Sequence, residues 1–355
     1  MLKWWYLFVL AGWLGLLSSC TRPPEVVLYT SVDQSELPQL IKRFELASGI
    51  RVVLVTDGEA LKTAGLAERV LAERDRPRAD VYWGNEPFHT IRLAEAGVFE
   101  PYRPPAAAEI PEAFRDPDGR WVAQGYRARM IVVSSRRELS PLVADIKGVE
   151  RLGHPSLRDR IAIANPAAGT TAGHLAALYT YWGEPRYRAW LLALRQNNAR
   201  VVGGNAVVAR LVGDGTLAAG LTDNDDISAV VRAGGQARGV LPDQTLSPED
   251  AERLAATQGR QPTDAELVAP GQGTLLVPTT IALVRGGPNP AHARRLIDFL
   301  TERHVEEQLF NQGFLYGTLR DLEKTQVRWM EVNYADVARN LRRATEIALT
   351  ILQDR

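Results

Sequence analysis

Cysteine occurs once in the 355 residues of this chain, so no disulfide can form within it and the fold must rest on its buried core. An excess of charge of either sign is lacking too: 42 lysines and arginines balance 42 aspartates and glutamates. A neutral chain sets up no long-range field toward nucleic acid or an acidic membrane. No apolar run reaches the ~20 residues that a helix needs to cross a bilayer. Catalytic signatures are equally scarce. No Ser-His-Asp ordering, nucleophile elbow or metalloprotease helix stands out, and there is no internal repeat or low-complexity tract.

An uncharged apolar run, Trp4 to Leu17, follows Lys3. At about fourteen residues it has the size of a signal-peptide apolar region rather than a membrane span. It ends in Leu17-Ser18-Ser19-Cys20, which resembles a bacterial lipobox, where small residues admit the peptidase and the cysteine thiol receives the lipid. The expectation is a signal peptide over 1–20, lipidation at Cys20 and a short linker over 21–25. Several acyl chains on one residue anchor a protein where a single chain does not. The plainer alternative is an ordinary secretory signal with Cys20 incidental. The rest of the chain is then an exported domain, in the periplasm or at the cell surface.

Beyond the linker, short β-branched runs alternate with helical periodicity. Val26 to Thr30 reads as a buried strand, and Leu37, Leu40, Ile41 and Phe44 recur at helical spacing. Strands follow at Ile50 to Val55 and Asp80 to Trp83, with a charged helix over Glu59 to Arg74 between them. The alternation restarts after a strand at Arg127 to Ser134. It gives strands at Ile161 to Ala164, Val201-Val202, Ala218 to Leu221 and Ala237 to Val240, and helices at Ala172 to Tyr181, Glu184 to Gln196 and Ala206 to Val212. Thr274 to Val284 is strand-like but carries Pro278, which predicts a bend or an edge. Helices over Pro290 to Leu300, Val305 to Asn311 and Gln326 to Leu352 close the chain, and 245–273 reads as a polar insertion. The fold class is α/β, with mostly parallel sheets covered by helices.

Val27-Leu28-Tyr29-Thr30-Ser31, Lys42 to Val52, Ala79-Asp80-Val81-Tyr82-Trp83, Leu93 to Val98, Tyr126 to Val132 and Ile163-Ala164-Asn165-Pro166 occur in that order, followed by the Pro278 segment. As an ordered set these phrases resemble the family 1 extracellular solute-binding proteins, and among them the ferric-iron receptors of ABC importers. The resemblance covers about Val26 to Asn311. It implies a two-lobed periplasmic-binding-protein-like fold of type II with the ligand in the cleft between lobes. Lobe one would hold 26–125 plus 274–311, lobe two 126–273, and 312–355 would pack on lobe two. It also implies a monomer that delivers cargo to a permease and its ATPase.

In α/β sheets ligands collect at the carboxyl ends of strands, which selects four loops. The first offers Thr30, Ser31 and Asp33; Asp33 is either a ligand-contacting carboxylate or the cap of the next helix, with Glu36 completing a capping box. The second offers Asn85 and Glu86, where the iron receptors carry an acidic ligand; the bland reading is a carboxylate favoured by a helix N-terminus. The third offers Gly169, Thr170 and Thr171, with Asn205 assisting, and suits an anion unless these are plain N-caps. The fourth offers Asp223, Asp225 and Asp226, where the family places adjacent tyrosines.

Three aspartates so close repel one another unless a cation or an arginine answers them. Arg127 and Arg129 are placed to be that answer, or to hold an anion. Asp33, Glu86, Asp225 and Asp226 together form an all-oxygen set suited to a hard cation, Fe3+ by resemblance or another, carried with an accompanying anion. No resident cofactor is implied. His89 and His174 read as helix-surface residues, and Tyr29 and Trp83 either line an organic ligand or pack the core. The alternatives are a receptor for a small cationic or zwitterionic solute, and an exported hydrolase using paired carboxylates.

Overall fold

A computed structural model describes residues 23–32, 37–56, 64–167, 169–244, 272–325 and 327–353. Cys20, Asp33, Glu36 and the 245–271 part of the insertion lie outside the described residues. Among the described residues, no helix is long and apolar enough to cross a membrane.

The first sheet is built as the hydrophobic runs predict. Strand β1 (Glu25–Thr30) lies between β2 (Arg51–Thr56) and β3 (Val81–Gly84), parallel to both, with Leu28 opposite Leu54 and Val81. Helix α1 (Leu37–Ser48) connects the first two strands, burying Leu37, Leu40 and Phe44 on one stripe. Helix α2 (Ala64–Ala72) leads toward β3, and α3 (Pro87–Glu95) leaves it. The sheet then turns antiparallel. Strand β10 (Leu276–Val284) pairs with β3 on one side and with β5 (Val122–Ser134) on the other, and the short β4 (Phe99–Glu100) also pairs with β10.

Strand β5 joins the two halves. Its first part, through Ala128, pairs with β10; from Arg129 it pairs with β8 (Ala219–Asp223) and β9 (Ala237–Val240). The change of partner thus falls between Ala128 and Arg129. Parallel to β8 runs β6 (Ile161–Ala164), and β7 (Arg200–Val202) lies beyond it. Pro278 sits inside β10, where the register slips: Pro278 faces Tyr126 but Thr279 faces Gln124, so Gly125 is the extra residue. Gly125 has φ +55° and a Cβ there would fall 2.2 Å from Leu315. A bulge tolerates a residue that cannot donate to the ladder, which reconciles this proline with a strand paired on both sides.

In the second half, α4 (Gly169–Trp182), α5 (Glu184–Gln196), α6 (Asn205–Gly213) and α7 (Asn224–Arg232) follow their strands. Alternation along β5 divides its burial between two faces. Ala128, Met130 and Val132 join one apolar cluster with Val208, Val212 and Ile227, while Ile131 and Val133 belong to the main core.

After α8 (Pro290–Leu300) and α9 (Arg303–Asn311) comes α10 (Tyr334–Gln353), which begins later than apolar spacing predicts. Asn333 Oδ1 accepts from the amides of Ala335 (2.9 Å) and Asp336 (3.2 Å), an N-cap that sets the start. The residues before it bridge back to Thr274 instead. Helix α10 packs on α4 and α5 and on α3 as well. The Tyr334 ring lies between Phe88 (5.9 Å) and Phe114 (6.0 Å), and the Tyr187 hydroxyl donates to the Ala344 carbonyl at 3.0 Å. The main core is therefore continuous behind the two halves.

Candidate functional site

Arg127 and Arg129 are two residues apart on β5 and so project from the same face. Opposite them β8 ends at Asp223, where α7 begins. Arg129, fully buried, donates from Nη1 to Asp223 Oδ1 at 2.8 Å and to Thr170 Oγ1 at 3.1 Å, and from Nε to His174 Nδ1 at 3.3 Å. Asp223 also accepts from Thr170 Oγ1 at 2.5 Å, Arg127 Nη1 at 3.3 Å and Asn205 Nδ2 at 3.3 Å. Burial opposes its ionisation, but Arg129, Arg127 and the Thr170 hydroxyl together outweigh it and hold the carboxyl below the usual aspartate range. Burial, aided by the Arg129 charge, pushes His174 well below the usual histidine range, so its ring is neutral.

Arg127 reaches further. It donates from Nη1 to Asp225 Oδ2 at 3.4 Å, from Nη2 to the Asn85 carbonyl, and its guanidinium lies 5.4 Å from the centre of the Phe314 ring. Asn85 is in turn held by Ser31, whose Oγ accepts from the Asn85 amide at 3.0 Å. One arginine thus ties the loop after β3 to the start of α7, across the junction of the two halves. Asp226 accepts from Thr222 Oγ1 at 2.8 Å, and Thr171 donates to Asn205 Oδ1 at 2.9 Å. Asp223, Asp225 and Asp226 each present an oxygen within 4.8 Å of the others; the first is buried and the other two half-buried. Such a set can hold a cation or an ammonium group at its outer edge.

The structure brings together Ser31, Asn85, Arg127, Thr170, Thr171, Asn205, Asp223, Asp225 and Asp226. Gly169 opens α4 beside them with φ +49°. It does not turn Glu86 toward this cluster. The Glu86 carboxylate accepts from the amides of Phe88 (2.8 Å) and His89 (3.1 Å) and lies 3.0 Å from His89 Nδ1, fully buried. It is the N-cap of α3, and that use occupies its oxygens. Thr30 likewise donates to the Trp83 carbonyl at 2.8 Å, within its own sheet. Tyr29 and Trp83 are buried core residues, the Tyr29 hydroxyl donating to Glu73 at 3.0 Å.

His89 and His174, read from sequence as surface residues, are both buried, His89 beside the Glu86 carboxylate and His174 beside Arg129. Two residues escaped sequence reasoning altogether. Asn224 Oδ1 accepts from the Ala128 amide at 2.9 Å and its Nδ2 donates to the Phe314 carbonyl at 3.2 Å. Phe314 supports Arg127 from 187 positions away along the chain. A cavity of about 540 Å3 under Pro104 and Pro105, near Trp121, shares no lining residue with the cluster.

Residues 34–315 match the family of bacterial extracellular solute-binding proteins. The chain belongs to that family. Among its relatives is iron uptake protein A1 of Synechocystis, 26% identical over 325 residues, covering 86% of this chain and 82% of that protein. The solute-binding fold is seen in the ferric binding protein from Campylobacter jejuni, at TM-score 0.75 and 18% identity over 92% of this chain and 99% of that one. It is seen equally in AfuA from Actinobacillus pleuropneumoniae with fructose-6-phosphate bound, at TM-score 0.74 and 18% identity over 94% and 99%. The two-lobed fold that the resemblance implied is the fold of these solute-binding proteins.

Proposed function

We propose that this solute-binding protein is the cargo receptor of an ABC importer, held at a membrane by lipid on Cys20, and that its cargo is a hard metal cation carried with an anion. The observation that carries the reading is the trio of carboxylates at the junction of the two halves, with oxygens within 4.8 Å. Asp225 and Asp226 at the start of α7 are the cation ligands, and Arg127 with the amides at the start of α4 faces the accompanying anion. Contacts from both halves favour the closed form, and the permease recognises that form. Ferric iron is the first cation to try, since proteins similar to this one are named for it. Transport needs binding and release only, so no turnover is assigned.

The adjacency of Arg127 and Asp225 supports a second reading, because opposite charges side by side also suit a zwitterionic organic solute. Calorimetric titration of the purified chain with ferric citrate and with a panel of amines and amino acids separates the two. We expect saturable binding of ferric citrate, weakened at least about tenfold by Asp225→Asn together with Asp226→Asn. Binding of an amine but of no metal complex overturns the metal reading.

A further inference from the structure

Arg127 stands where a cation held by Asp225 would have to stand. Its Nη1 is 3.3 Å from Asp223 Oδ2 and 3.4 Å from Asp225 Oδ2. Asp223 already has a dedicated counter-charge, since Arg129 Nη1 lies 2.8 Å from its other oxygen and is itself wholly buried. Among the described residues, Arg127 is the positive charge beside Asp225, which it shares with Asp223. The guanidinium is held on three further sides, by the Asn85 carbonyl, by the face of Phe314 and by burial that leaves its side chain 4% exposed. It cannot swing out into water as a surface arginine does.

We propose that Arg127 is a resident competitor that sets which cations this site accepts, an inference resting on the cargo reading above. A bare cation reaching Asp225 meets a fixed positive charge a few ångströms away and takes from that arginine one of its two carboxylates, leaving it to share Asp223 with Arg129, both unfavourable in a buried site. A cation that arrives with its own anion avoids the second loss, because the anion gives Arg127 a replacement partner. The site thus discriminates against free divalent ions and in favour of cation–anion complexes. Nothing about Asp225 and Asp226 alone predicts this; two half-buried carboxylates by themselves favour any hard cation.

The test is titration of the full chain in detergent with free Mn2+ and with gallium(III) citrate, in wild type, Arg127→Gln and Arg127→Lys. Gln keeps a donor for Asn85 and removes the charge, whereas Lys keeps the charge. Arg127→Gln should bind Mn2+ at least about tenfold more tightly than wild type, with a smaller gain for gallium citrate, and Arg127→Lys should resemble wild type. Wild type that binds gallium citrate while Arg127→Gln shows no gain for Mn2+ overturns the inference alone. If no variant binds either probe, the cargo reading falls and takes the inference with it. A second measurement needs no folded Gln variant: the Arg127 side-chain NMR resonance, identified by its loss in Arg127→Lys, should shift as gallium citrate saturates wild type. A resonance that stays put at saturation also overturns the inference.

Discussion

At the scale of single residues, the decisive feature is how charges inside this protein are answered. Arg129 and Asp223 are both almost fully enclosed, and each is the other's nearest opposite charge. Removing one member of a buried pair strands the other in a medium that solvates it poorly. Arg129→Met should therefore destabilise the protein by about 3–5 kcal/mol in urea unfolding followed by circular dichroism. The contribution of Asp223 has a defined pH sign. Its folded-state pKa is lowered, so the stability it adds is present above the ordinary aspartate pKa and is lost as pH falls through the lower, folded value. The aspartates and arginines of this cluster were legible in the sequence as an unusual density of like charge calling for a counter-charge. Which aspartate took which arginine was not, because that depends on strand β5 lying antiparallel to β8 with Arg129 opposite Asp223.

At the scale of elements, periodicity located most strands and helices, and local chemistry trimmed their ends. Glu86 shows the tension between these levels. Its position after a strand marks it as a site residue by topology, yet Pro87 and the free amides behind it make it an N-cap, and the local demand prevails. Asp243 is a second example. It lies in the turn after β9 with φ +58°, its backbone amide bonded to the Lys147 carbonyl and its Oδ2 accepting from the Val149 amide at 3.3 Å. Burial pushes its pKa up to about 6. Because the folded state then binds a proton more readily than the unfolded chain, this group favours folding in acid and opposes it once ionised. Asp243→Asn keeps an acceptor oxygen and tolerates the positive φ. It should raise the thermal midpoint at pH 8 and leave it nearly unchanged at pH 4, in unfolding scans at the two values.

At the scale of the whole molecule, the described residues join the two halves through strand β5, through the Arg127 bridge from Asn85 to Asp223 and Asp225, and through helix α10 packed on α3, α4 and α5. Of these, the Arg127 bridge lies at the proposed cargo site. A cargo that engages both halves shifts the open–closed population toward the compact form. Small-angle scattering should show the radius of gyration falling when ferric citrate is added to wild type, and no change in the Asp225→Asn, Asp226→Asn double variant. Helix α10 is shared by three neighbours, α3, α4 and α5. Its apolar stripe was readable, but a helix stripe does not say how many partners share it.

Alternating apolar runs and the breaks at glycine and proline were enough to determine an α/β chain, because those signals arise from burial within each element and need no distant partner; the solute-binding type was read from the ordered phrases that resemble that family. The loops that gather at the site could also be named, since strand ends are known once strands are. Whether a named carboxylate serves a ligand, a helix cap or a buried arginine was decided by tertiary structure alone. Those three uses place the same chemical demand on the residue, and they differ only in what the fold brings within 3 or 4 Å of its oxygens.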